Sequence, residues 1–181
     1  MTERIIALQG AASFVVQTRL ASFARARAAE GLRVVGVLEE FGGSIATGCA
    51  GRALRDLKTE RRHMIGQDLG KGSLACHLDA SAVAEACQDV LNAIEAGPDV
   101  VVLAKFGKLE SARSGLIDAF AAAAARNLPV VTSVAPVFAE TWQRYSAPLA
   151  RFVQPTDAAL ETWWRALTEE RGPARRFYSV G

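Results

Sequence analysis

The sequence predicts a three-layer α/β fold, a mostly parallel sheet with helices on both faces and an inserted β-hairpin. Three observations carry the prediction. Short apolar runs recur at 4–9, 32–38, 100–104 and 128–134, and runs of that kind belong to strands covered on both faces. Stretches with helical spacing separate them, which gives the alternation of right-handed βαβ units. The stretch 53–67 departs from this pattern with polar, basic segments on either side of Thr59-Glu60.

In order, residues 4–9 (RIIALQ) form the first strand and Gly10 ends it. Ser13 is the expected N-cap of a helix to about Glu30, with Phe14, Leu20, Phe23 and Ala24 on its apolar face. Gly31 stops that helix. Residues 32–38 form the second strand, and 41–51 a loop with four glycines. The hairpin pairs 53–58 with 61–67 and carries Arg52, Arg55, Lys58, Arg61 and Arg62. Two readings are open for it: a solvated edge kept from aggregating by its charges, or a flap that faces an anion. A flexible loop at 68–73 and a short strand at 74–78 follow. Asp79 caps a helix over 80–96 with an apolar stripe of Val83, Cys87, Val90, Leu91 and Ile94. Gly97 and Pro98 introduce the strand at 100–104, Gly107 ends it, and a helix is expected from about 111 to 127. The strand 128–134, a short helix from Pro136 with Trp142 and Tyr145, an edge strand at 150–153 and a helix over 157–169 complete the order. Trp163 and Trp164 are read as packing residues or, if exposed, as a homodimer face. Residues 1–170 are expected to form one domain, and 171–181 a flexible tail.

Half of the 181 residues are apolar and 22% are charged, an ordinary globular balance. No apolar run nears the roughly 18 residues of a membrane helix, and the start MTERIIALQG lacks a signal-peptide layout. A cytoplasmic protein without membrane insertion is expected. A net charge of +2 gives no argument for nucleic acid. Cys49, Cys76 and Cys87 lack a CxxC spacing and fit reduced thiols. Cys49 and Cys76 flank the hairpin and, with His63 and His77, are the weak metal candidates, set against burial as small apolar groups. Cys87 belongs to the core.

Chemistry is expected at the carboxyl ends of the strands, where ligands bind in open α/β sheets. Lys105, Lys108 and Glu110 directly follow the strand in DVVVLAKFGKLESARSGLID (99–118). A phosphate loop after the first strand needs G-x-x-x-x-G-K-[ST]. Past Gly10 the sequence is AASFVVQT, so Val15, Val16 and Gln17 stand at the glycine, lysine and hydroxyl positions, and the motif fails where its chemistry lies.

The strand-turn-helix at 4–29, VVGVLEE at 34–40, RDLKTE at 55–60 and VVVLAKFGKLE at 100–110 stand in the order of the small P-loop nucleoside-triphosphatases, which the chain resembles over about residues 4–167. More closely it resembles an uncharacterised bacterial branch with Q-D-x-G, C-x-L-D and K-F-G-K-x-E segments, here Gln67-Asp68-Leu69-Gly70, Cys76-His77-Leu78-Asp79 and Lys105 to Glu110. Genes of that branch commonly lie beside molybdate-transport or molybdoenzyme genes. The resemblance implies a P-loop NTPase-like fold with degenerate Walker motifs: the Walker B acids map onto Ala104 and Lys105, and the Walker A lysine onto Val16. Lysine in place of an acid inverts the local charge by two units, and each unit interaction is worth about 4 kcal/mol at 4 Å and an effective dielectric of about 20. Orthodox nucleotide hydrolysis is therefore not expected, unless Glu110 or Asp68 compensates. The expected function is an accessory factor in molybdenum metabolism. It would bind an anionic ligand (molybdate, a molybdopterin-type or another phosphate-bearing molecule) through Gly10, Ala12, Ser13, Gln67, Asp68, Lys105, Lys108 and Glu110. Molybdate or a nucleotide is the candidate cofactor, and a molybdoenzyme or molybdate-transport component the candidate partner. An unorthodox nucleoside-triphosphatase and a scaffold with a vestigial site stay open. Lys105 and Glu110 have a structural alternative too, as a salt bridge or a helix cap.

Overall fold

The structure is a computed structural model that describes residues 2–42, 51–67 and 77–170. Cys49, Asp68, the loop at 68–73, Cys76 with most of the strand expected at 74–78, and the tail at 171–181 lie outside the described residues.

The chain runs β1 (Ile5–Leu8), α1 (Ser13–Ala29), β2 (Val34–Phe41), β3 (Arg52–Asp56), β4 (Arg62–Met64), β5 (Gly66–Gln67), β6 (His77–Leu78), α2 (Ala80–Glu95) and β7 (Val100–Leu103). It continues through α3 (Lys108–Ser111), α4 (Ile117–Ala125), β8 (Val130–Ser133), a 3₁₀ turn (Pro136–Phe138), α5 (Ala139–Ser146), β9 (Ala150–Val153) and α6 (Asp157–Glu170). Seven strands form one sheet in the order β4-β3-β2-β7-β8-β1-β9. From β2 to β9 all pairs are parallel, and the β3–β4 hairpin adds two antiparallel strands at the β2 edge.

Alternation along each strand explains the three layers. Ile5 and Ala7 face one side of the sheet with Val101, Leu103 and Val130, under α2, α4 and Trp142 of α5. Ile6 and Leu8 face the other with Val100, Val102 and Val131, under α1 and α6. Both faces are buried, as expected for a parallel sheet whose strands read as continuous apolar runs. Gly36 lets β2 approach β7: its φ is +129°, and a Cβ there would lie 1.8 Å from the Val102 carbonyl oxygen.

Three details differ from the sequence reading, and one open choice is decided. Ala12, not Ser13, is the N-cap of α1, and it supplies no side-chain cap. Phe14 is 65% exposed, so the apolar face of α1 begins at Val16. Of the two readings of Trp163 and Trp164, packing holds: the pair is buried against Phe23, with ring centroids 6.1 and 5.8 Å from it. The single helix expected over 111–127 is two, α3 and α4, because the Glu110 carboxylate intervenes. It accepts the N–H groups of Gly107 and Leu116, each at 2.9 Å, and bends the chain through Gly115. Asp79 caps α2 as expected, accepting from the Ser81 and Ala82 N–H groups.

Candidate functional site

From β1 the chain crosses through α1 to β2 on one side, and from β8 through α5 to β9 on the other. Such a divergence opens a crevice at the carboxyl ends of the strands. A cavity of about 310 Å³ lies there, lined by the ends of β1, β7 and β8 and by the start of α1. A larger cavity of about 560 Å³ sits at the opposite, amino end, beside Arg4, Asn127 and Leu149. Its charges are of mixed sign, with Glu3 paired to Arg151 and Glu170 bonded to Thr2.

The floor at the carboxyl ends is tied together by polar side chains. Gln17, buried on α1, donates to the Ala104 carbonyl at 2.8 Å and accepts the Glu39 N–H at 2.9 Å, so one amide locks α1 to both β7 and β2. Ser133 donates to the same Ala104 carbonyl at 2.7 Å, and Gln9 donates to the Val134 carbonyl at 3.1 Å. Glu39, near the end of β2, has a side chain with no solvent exposure. Two cations hold its carboxylate: Lys105 Nζ at 2.8 Å and the Arg52 guanidinium, whose Nε lies at 2.7 Å. A buried carboxylate without such partners would be strongly penalised. Antiparallel register brings Arg52 there, since Phe41 on β2 pairs with Arg52 on β3.

The next residue, Glu40, serves the hairpin instead. Arg55 and Arg62 each bond it at 2.6 Å. The Arg62 hydrogen bond holds its carboxyl below the usual carboxylate range, with partial burial opposing and Arg55 assisting. Arg61 pairs with Glu85 and Asp89 on α2, where His63 is also buried with Nε2 3.0 Å from Asp89. Of the five hairpin cations only Arg52 lines the cavity; Arg55, Arg61 and Arg62 knit the sheet edge.

The expected binding residues divide accordingly. Gly10 (φ +109°), Ser13, Lys105 and Lys108 line the cavity. Ala12 is the N-cap beside it and leaves the first-turn N–H groups of α1 uncapped. Lys105 pairs with Glu39 rather than Glu110. Glu110 is buried, does not line the cavity, and spends both carboxylate oxygens on backbone N–H groups. Gln67 lies in β5. Glu39, Gln17 and Arg52 were not among the expected binding residues. Adjacent glutamates closing an apolar strand are a signal for the first, because one of two neighbours on a strand must face inward. Among the described residues no group of three or more His, Cys, Asp or Glu side chains could hold a metal ion, and no helix is long and apolar enough to cross a membrane.

The chain belongs to the DUF2478 family, described as "Protein of unknown function (DUF2478)", whose match spans residues 5–163. It is 35% identical over 151 residues to the molybdenum import ATP-binding protein ModC 2 of Bradyrhizobium diazoefficiens. That alignment takes in 83% of this chain but only 17% of the relative. The fold matches that of THEP1 from the hyperthermophile Aquifex aeolicus, with a TM-score of 0.56 at 11% identity, covering 93% of this chain and 98% of that one.

Proposed function

We propose that this chain binds an anionic ligand at the carboxyl end of its sheet without hydrolysing a nucleotide, and serves molybdenum metabolism as an accessory factor. Molybdate, a molybdopterin-type molecule or another phosphate-bearing molecule is the ligand class. The observation that carries the reading is the Lys105–Glu39–Arg52 cluster. At the place where the resemblance puts the Walker B acids stands a lysine, and the nearest carboxylate is already committed to two cations.

Magnesium does not fit this floor. A P-loop site asks for a lysine on the β and γ phosphates, a hydroxyl on the metal and an acid from the Walker B strand. Here Val16 is buried in the core, both polar atoms of the Gln17 amide are engaged by backbone, and Ala104 has no ligand to give. An anion finds better provision in three cationic side chains and the amino end of a 17-residue helix. The similarity to part of a molybdenum-import protein supports the setting.

Titration calorimetry with molybdate, tungstate, sulfate and nucleotides, each with and without Mg²⁺, tests the proposal. At least one anion binds in the absence of Mg²⁺, and the Lys105→Ala, Lys108→Ala double variant loses that binding. No binding by any of them, or equal binding by the double variant, refutes it. Phosphate release from a nucleoside triphosphate that depends on Lys105 would establish the triphosphatase reading instead.

A further inference from the structure

The charge, size and polarity of this cavity narrow its occupant, given the proposal that it takes an anion. Arg52, Lys105 and Lys108 line it, and among the described residues no carboxylate does. Glu39 beneath the floor neutralises one of those cations, so two positive charges remain for an occupant. The volume of about 310 Å³ is that of about ten water molecules at roughly 30 Å³ each. A bare tetrahedral oxyanion, four oxygens of about a water's size around one enclosed atom, leaves more than half of that space to water. The walls also differ. The cations come from β3 and from the segment after β7, on the hairpin side of the sheet. The segment after β8 adjoins it, bridged through Phe106 and Val134, and there Val134, Ala135, Pro136 and Phe138 supply no charge.

We infer that the occupant is a two-part molecule: a dianionic tetrahedral head, a phosphomonoester in kind, held by Arg52, Lys105 and Lys108 without a metal ion, and a flat apolar body resting on Val134, Pro136 and Phe138. Head and body are then recognised by different parts of the lining, and an inorganic oxyanion satisfies only the cationic part.

The test measures binding of inorganic phosphate, molybdate, 1-naphthol and 1-naphthyl phosphate to the full chain in EDTA, at fixed ionic strength. 1-Naphthyl phosphate binds at least about tenfold more tightly than any of the other three. Lys108→Ala, a change at an exposed residue, weakens 1-naphthyl phosphate and inorganic phosphate alike. Phe138→Ala, with its melting temperature checked, weakens 1-naphthyl phosphate and leaves inorganic phosphate unchanged. Inorganic phosphate or molybdate binding as tightly as 1-naphthyl phosphate overturns the inference while the anion-binding proposal stands. The inference also falls, on its own, if Phe138→Ala weakens both phosphates equally, or if binding requires Mg²⁺. If none of the four probes binds, the inference falls, and the anion-binding proposal falls with it when tungstate, sulfate and nucleotides bind no better.

Discussion

Glu39→Gln tests the cluster at its centre. The substitution keeps the shape of the side chain and removes the charge that Arg52 and Lys105 share. Glu39 has no side-chain exposure, whereas 19% of Arg52 and 31% of Lys105 remain exposed. Removing one member of a buried ion pair costs about 3–5 kcal/mol, and the partial exposure of both cations places this case near the lower end. A loss of about 3 kcal/mol corresponds to a fall of about 6–12 °C in melting temperature for a chain of this size. Thermal unfolding at pH 7 followed by circular dichroism reads it. The same cluster predicts a rescue: with Glu39 neutral, Arg52 and Lys105 lack a counter-ion, so added phosphate stabilises the variant more than the wild type. A variant that melts within about 2 °C of the wild type and gains nothing from phosphate would refute the reasoning.

Three further outcomes follow from other parts of the molecule. Gly115→Ala is expected to destabilise by about 1–3 kcal/mol in urea unfolding, because φ is +64° there and a Cβ would lie 2.2 Å from Glu110 Oε1. Glu40, its carboxyl held below the usual range chiefly by Arg62, contributes stability that is present above the unfolded value of about 4.3 and is lost as pH falls through the lower folded value; the urea midpoints of wild type and Glu40→Gln should therefore differ at pH 7 and draw together as the pH is lowered through the acid range. Burial pushes the Cys87 thiol above its ordinary range, so peptide mass spectrometry after iodoacetamide at pH 8 should find Cys87 unmodified in the native chain and modified in urea.

The parallel sheet was legible because its strands are covered on both faces. Runs such as Val100–Leu103 carry that fact in composition alone, and the caps and stops at Asp79 and Gly31 are local chemistry. The site was legible only in part. Lys105 and Lys108 announce themselves as charges at the end of a buried strand, and the structure places both on the cavity. Glu39 pairs with residues 13 and 66 positions away, and those pairings depend on antiparallel register and on the crossover that brings β2 beside β7. The α3–α4 break was hidden for a similar reason. Nothing in the alanine-rich 111–127 pattern reveals that a carboxylate six residues before Leu116 will take its N–H.

The features of this cationic floor are coupled physically. A lysine at the end of β7 needs a counter-ion, and Glu39 supplies it from the adjacent strand. The Glu39 carboxylate is fully buried while Lys105 is only partly so, and the hairpin contributes Arg52 as a second cation. Gln17 then fixes the backbone at both members of the pair, bonding the N–H of Glu39 and the carbonyl of Ala104, the residue before Lys105. Reverting any one of these alone would leave a buried group without its partner: an acid at 105 would face Glu39, and a hydroxyl at 17 would be too short to bridge the two strands. Building a magnesium site here would require several simultaneous changes, each costly in the others' absence. The cluster is therefore a self-consistent cationic floor, and its excess positive charge over Glu39 is the part of the arrangement that internal pairing does not account for.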